Sequence, residues 1–284
     1  FRYRLRYGFE KKFSDEIKAG FSFVSGERTN GNQVDPTSTN TSFDNLFSYK
    51  DIFVDRAYGT YLPGWAKIGP VKKFEVSGGK VANPFEKGSS AMMWDADLRP
   101  EGIYERMNFN LLEGLDSEGY VTAGQFILDE DAATGGDAEL FGYQLGFNNA
   151  LPVGTQTANW LSAVSFYSYS DFATKGNYLI GTTSLARGNT VCATNQDLCA
   201  GDFKIWQFYN ELALDIHGLP VRPFFDLAFN GAHEAPRDES LAWAFGTKLG
   251  GIKKKGDWEA AMDYRRIESQ SVVGAFNDSD FGLG

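Results

Sequence analysis

Residues 1–10 read Phe-Arg-Tyr-Arg-Leu-Arg-Tyr-Gly-Phe-Glu, an alternation of period two. Phe1, Tyr3, Leu5, Tyr7 and Phe9 share one side of an extended chain, and Arg2, Arg4, Arg6 and Glu10 share the other. A strand sends successive side chains to opposite faces, so one face is aromatic and the other charged. A helix built from this segment would scatter both classes around its axis. The segment fits a soluble sandwich as well as a membrane barrel, and the choice rests on how the pattern returns and on what separates the returns.

Twelve strand-like segments follow one another: 1–13, 17–25, 51–62, 72–81, 102–111, 119–129, 138–148, 158–168, 203–216, 221–230, 240–251 and 257–267. Most are near the ~10 residues a tilted strand needs to cross a bilayer. The connections 14–16, 63–71, 112–118, 149–157, 218–220 and 252–256 are brief, with turn chemistry such as Gly-Leu-Pro. Those at 26–50, 82–101, 130–137, 169–202 and 231–239 are mostly longer and polar. Alternation of brief connections with mostly longer ones is the layout of an outer-membrane barrel. Eight of the nine prolines fall outside the strands or at their margins, Pro223 being the intrusion. No window approaches the ~18 apolar residues of a membrane helix. A mean hydropathy of −0.33 agrees with a barrel, because half of its strand residues face a wet lumen. The expected fold class is therefore all-β, an antiparallel transmembrane β-barrel forming one domain over 1–284. About 12 strands are visible, and about 16 are expected in the intact protein, given the usual even numbers. No signal peptide is visible, and an opening inside a strand without Met is read as a trimmed product.

The later strands repeat the two faces. Trp206, Phe208, Leu212 and Leu214 oppose Gln207, Tyr209, Glu211 and Asp215, with Asn210 a misfit on the apolar side. Phe225 opposes Arg222 and Asp226, Phe245 opposes Lys248, and Trp258 and Tyr264 oppose Glu259, Asp263 and Arg265. Segments 51–62, 72–81 and 119–129 alternate poorly and carry no face assignment. Tyr3, Tyr7, Trp206, Phe225, Phe245 and Trp258 are expected to face lipid. The expected pore-lining set is Arg2, Arg4, Arg6, Arg106, Glu211, Arg222, Asp226, Glu259, Asp263 and Arg265. Arginines and carboxylates interleaved with Gly and Ala suit a confined wet wall better than an open sandwich face. Tyr120, Trp65, Trp160 and Trp258 lie beside short turns, and Tyr104, Trp206 and Trp243 beside long loops, as two interfacial belts would require.

The long connection 82–101 holds Asn83-Pro84-Phe85 and then Trp94-Asp95-Ala96-Asp97-Leu98-Arg99-Pro100-Glu101-Gly102, after Gly-Gly-Lys at 78–80. With Asp55-Arg56-Ala57-Tyr58 and the closing 276–282, these motifs resemble the bacterial putative porin family of Gram-negative outer membranes. The resemblance covers roughly residues 50–284, and the Trp-Asp-x-Asp-Leu run is its most specific part. It implies a passive diffusion channel for small hydrophilic solutes or ions. It also implies a homotrimer in the cell outer membrane, among outer-membrane lipid and lipopolysaccharide. Physically, the Trp94 loop suits an inward fold, with Trp94, Asp95, Asp97, Arg99 and Glu101 forming a constriction. Its carboxylates would then face wall arginines such as Arg2, Arg4 and Arg6, and opposed charge rows set a transverse field.

Cys192 and Cys199 lie seven positions apart in the longest connection, and such a pair in an exported protein reads as a disulfide. The acidic runs Asp129-Glu130-Asp131 and Asp278-Ser279-Asp280 carry oxygen donors for Ca²⁺ but no complete loop signature, so solvated acid is the plainer reading and no cofactor is expected. His217 and His233 read as surface residues, not as metal ligands. A net charge of −10 argues against a nucleic-acid partner, since phosphate contacts demand a basic face, and none is expected. No Walker loop, dinucleotide fingerprint, zincin motif or nucleophile elbow is present, so the chain is read as no enzyme. The alternatives are a secreted sugar-binding β-sandwich and an outer-membrane hydrolase. Basic lumen candidates outnumber acidic ones, nine against six, when Lys12, Lys18, Lys248, Glu10 and Asp215 join the set above.

Overall fold

The computed structural model describes residues 1–29, 33–34, 36–43, 45–111, 117–130, 136–154, 156–173, 188–190, 201–233 and 235–278. Twelve strands form one antiparallel sheet, each paired with its neighbours in the chain. They are β1 Arg6–Lys12, β2 Ile17–Gly26, β3 Asp51–Tyr61, β4 Val71–Lys80, β5 Glu101–Asn110 and β6 Ser117–Asp129. The series continues with β7 Ala138–Val153, β8 Gln156–Ser170, β9 Lys204–Ile216, β10 Leu219–Asn230, β11 Leu241–Gly250 and β12 Glu259–Ile267. A sandwich needs two stacked sheets, and the twelve strands instead join a single one. Among the described residues β1 and β12 end the strand order and do not pair with each other.

Two boundaries differ from the sequence reading. Arg2–Tyr3 pairs separately with Thr41–Ser42, so the opening alternation is split before β1. The connection expected at 149–157 is almost all strand, because β7 and β8 stay paired out to Val153 opposite Gln156. Gly154 closes that hairpin at φ 62. His217, at φ 53, and Gly218, at φ 85, form the tight turn between β9 and β10, and His233 is exposed in the 231–240 connection.

Two bulges interrupt the sheet, and the one inside 51–62 explains why that segment showed no clear alternation. Ser22 opposes Arg56 but Phe23 opposes Val54, so Asp55 is an extra residue in β3. Val71 opposes Phe109 but Lys73 opposes Asn108, so Lys72 is extra in β4. An inserted residue shifts the phase of every side chain beyond it, and a period-two pattern read across it cancels.

The sheet is strongly curved. Laid flat, eleven inter-strand steps of about 4.8 Å would separate β1 from β12 by roughly 53 Å. Yet Asp97 bonds Arg6 of β1, while Ala91 accepts a hydrogen bond from the Asp278 amide and Asp278 pairs with Arg265 of β12. Six residues of chain from 91 to 97 reach at most about 22 Å. Only a sheet wrapped around this segment brings both of its edges within that reach.

The wrapped segment leaves β4 and rejoins β5 beside a glycine pair. Gly79 opposes Gly102, at φ 114 and φ 155. A Cβ on Gly79 would lie 2.2 Å from the Ala57 carbonyl oxygen, and one on Gly102 would lie 2.1 Å from that of Gln125. Gly79→Ala should therefore destabilise the fold by about 1–3 kcal/mol, the usual cost of a strained backbone position. Urea titration of the refolded protein checks it, and an unchanged midpoint would contradict the geometry.

Candidate functional site

Residues 81–100 pack on one face of the sheet, here called the covered face. Their apolar side chains Val81, Phe85, Met92, Met93, Trp94 and Leu98 join wall residues including Phe126, Leu140, Tyr167 and Ile205 in one buried cluster. Phe85 sits over β7 where Gly142 leaves room, a Cβ there falling 2.4 Å from the ring. This packing explains why 119–129 did not alternate: its covered face carries Tyr120 and Phe126, apolar like its open face.

One end of the segment is pinned to β10. Asp226 is 0% exposed. Its carboxylate accepts from the Ser90 amide at 3.0 Å, the Ser90 hydroxyl at 2.6 Å and the Gln207 amide at 2.9 Å. Gln207 also donates to Ser89 at 2.8 Å. Tyr167 donates to Gln207 Oε1 at 3.2 Å, and the Trp94 indole donates to Tyr167 at 3.2 Å. Trp94, only 5% exposed, further stacks on Phe276 at 6.0 Å. A buried carboxylate is tolerated only when its lone pairs are satisfied, and this network satisfies them.

The other end is pinned to β1 and β3 by charge. Asp97 pairs with Arg4 at 2.9 Å and Arg6 at 3.2 Å, and accepts from the Thr39 hydroxyl at 3.4 Å. Arg6 also reaches Asp55 at 3.3 Å, Arg99 meets Asp55 at 3.2 Å, and Arg56 lies 3.6 Å away. Arg99 further donates to the carbonyls of Ala96 and Leu98, both at 2.8 Å. Burial pulls the Arg99 guanidinium below its ordinary pKa, and the Asp55 carboxylate opposes that shift. The segment thus spans the wrapped sheet as a strut, with an acid anchored at each end.

The constriction candidates do not all meet as expected. Asp97 touches Arg4 and Arg6 directly, not across open space. Asp95 accepts from the Asp97 amide at 2.7 Å, while its own amide donates to the Phe276 carbonyl at 2.8 Å. Glu101 begins β5 and pairs with Lys80 of β4 at 2.6 Å, away from the arginines. Arg2 is exposed beside the short pairing with Thr41–Ser42. Arg106 donates to Thr122 at 2.9 Å, Tyr209 to Glu211 at 3.0 Å, and Arg222 pairs with Glu259 at 2.9 Å. Arg265 is held between Asp263 and Asp278. Asp226 lies under the strut instead of along an open wall.

Several contributors carried no readable signal. Residues 268–278 fold onto the same face, where Gln270, Ser271, Val272, Val273 and Asn277 are buried. Asn189 fastens them by donating to the carbonyls of Ser269 and Val272 at 2.7 and 2.8 Å. Asp55 and Gln144 face the strut as well, and so does Gln207, which the alternation of β9 placed on the polar face without marking it as a site residue. Tyr104 and Tyr120, expected in the belts, both point to the covered face: Tyr104 donates to Glu75 at 3.0 Å, and Tyr120 is 1% exposed.

Cys192 and Cys199 lie outside the described residues, as do Asp131, Ser279 and Asp280 of the acidic runs. Among the described residues no group of three His, Cys, Asp or Glu side chains is placed to hold a metal.

With a strut across a wrapped antiparallel sheet established, comparison with known families becomes informative. A family model described as putative porin matches residues 1–204 and 210–284. The chain belongs to the putative porin family. A search of curated proteins finds no match. The match takes in strands, strut and the 268–278 segment together, so the porin assignment rests on nearly the whole chain and not on the Trp94 motif alone.

Proposed function

We propose that this porin forms a passive diffusion channel for small hydrophilic solutes or ions in the outer membrane of a Gram-negative cell. One observation carries the reading: the sheet is inverted relative to a soluble protein. On its open face Phe225 is 44% exposed, Phe245 51%, Met262 75% and Tyr264 59%, while Asp226, Gln207, Gln144 and Thr122 on the covered face are almost wholly buried. A contiguous apolar surface over several neighbouring strands is unfavourable in water and favourable in lipid. Even the misfit agrees, since Asn210 on the apolar face accepts the Trp160 indole N–H at 3.2 Å and so is not presented bare.

Lipid also requires that sheet edges be paired. We therefore read β1 and β12 as joined through further strands, about sixteen in all by the even-numbered pattern of such barrels. The family resemblance carries the expectation of a homotrimer set among outer-membrane lipid and lipopolysaccharide, and of a channel in place of an enzyme. In an exported setting Cys192 and Cys199 are expected to be bonded. The strut is the narrow point of the passage. Above it, toward the long connections, a cavity of about 1240 Å³ is lined by Asp55, Trp94, Asp97, Arg99 and Phe276, among others.

Neutralising Asp95 and Asp97 tests the role of the strut. Asp95→Asn/Asp97→Asn leaves Arg4 without its carboxylate partner and Arg6 with Asp55 alone, so ion selectivity measured by reversal potential in a planar bilayer should move toward anions. The change should be larger at 0.1 M salt, where the screening length is about 10 Å, than at 1 M, where it is about 3 Å. Absence of any conductance by the native protein sinks the channel reading, and unchanged selectivity in the double variant removes the strut from it.

A further inference from the structure

Beyond the strut, toward the short connections, lies a second cavity of about 230 Å³ on the covered face. Lys72, Lys73, Lys87, Arg106, Glu118 and Tyr120 are among its lining residues. The bulge in β4 builds part of it. Lys73 pairs in register with Asn108, and Lys72 is the inserted residue, so two consecutive lysines reach one cavity where regular alternation would send one of them to the open face. Lys87 comes from the strut and Arg106 from β5.

The charges do not balance. Glu118 lies 3.5 Å from Lys72, and Glu75 pairs with Lys73. Among the described residues neither Lys87 nor Arg106 forms an ion pair. Both stand over the ring of Tyr120, at 4.9 and 5.7 Å from its centroid. Tyr120 is 1% exposed, and its hydroxyl has no hydrogen-bond partner among the described residues. Among the described residues, four cations against two carboxylates leave an excess of two positive charges, in a chain whose net charge is −10. Gathering like charge in a concave, partly enclosed site is unfavourable until an anion occupies it, and ammonium and guanidinium groups are the usual donors to oxyanions.

We propose that this cavity binds a small oxyanion of the phosphate class, held by Lys87, Arg106 and the Lys72–Lys73 pair. The site stands on the geometry of the covered face; only the route by which the anion arrives rests on the channel reading.

Calorimetric titration of the detergent-solubilised protein with inorganic phosphate tests it at about 10 mM ionic strength, where the screening length is about 30 Å. Saturable one-site binding is expected. Lys87→Gln and Lys72→Gln should each weaken it about tenfold, in line with the loss of one charge-assisted contact. Glu118→Gln should tighten it severalfold by removing a competing carboxylate. Lys254→Gln, in the exposed lysine run of the β11–β12 turn, should leave it unchanged. No saturable binding, or equal losses from Lys87→Gln and Lys254→Gln, overturns the proposal. Saturable binding by a protein that does not conduct would fault the channel reading alone. Conductance without phosphate binding would fault the site alone.

Discussion

Asp226→Leu should release the Ser90 end of the strut and raise single-channel conductance. Leucine has the same branching and number of side-chain heavy atoms as aspartate but accepts nothing. It leaves the Ser90 amide, the Ser90 hydroxyl and the Gln207 amide without their acceptor at a site that is 0% exposed. Each unsatisfied buried donor costs about 1–3 kcal/mol. A local loss near 3 kcal/mol corresponds to roughly a hundredfold greater population of the open strut. Hydrogen exchange of the amides in residues 88–94 should accelerate by about that factor, while the strand amides keep their protection. Asp226→Asn, which retains one acceptor oxygen, should fall between the two. Native exchange rates in Asp226→Leu would show that the strut is held by its apolar cluster and not by the buried acid.

A larger effect on assembly is expected on the opposite face. Phe225 opposes Phe245 in the register of β10 and β11, and Phe245 packs beside Trp243 and Tyr264 at 5.8 Å from each ring. An arginine at a mid-strand lipid position costs about 2–4 kcal/mol. Phe225→Arg should therefore lower the folded-to-unfolded ratio in lipid vesicles by roughly thirtyfold to a thousandfold. Lys248→Gln, exposed on the covered face of β11, should leave the ratio nearly unchanged. Urea titration in vesicles reads both. A similar shift in the two variants would mean that the open face is not the one in lipid.

Legibility in the sequence followed the physics of the two faces. Strands β9 to β12 were readable because one face stays apolar and the other polar, and the Asn210 misfit was visible as a single break. Strand β3 was opaque because one inserted residue, Asp55, reverses the phase mid-strand. Strand β6 was opaque for a different reason: Tyr120 and Phe126 answer to the strut, a contact that no local pattern records. The inward fold of the Trp94 segment was accessible through charge complementarity and family resemblance, and Asp97 does meet Arg4 and Arg6. The partners that fix the other end were not accessible. Ser90 and Asp226 are 136 positions apart, and nothing near either residue advertises the other.

That separation also sets an order of events. Strand pairing here is between chain neighbours and can proceed hairpin by hairpin, whereas Arg6 to Asp97 closes 91 positions and Ser90 to Asp226 closes 136. Contacts so remote in sequence form late, since the intervening chain must be ordered before their ends can meet. The strut is then the final piece to seat. A half-built sheet holds the segment between β4 and β5 untethered, and on the proposed channel reading narrowing would be coupled to completion, the passage acquiring its calibre only once the tenth strand is in place.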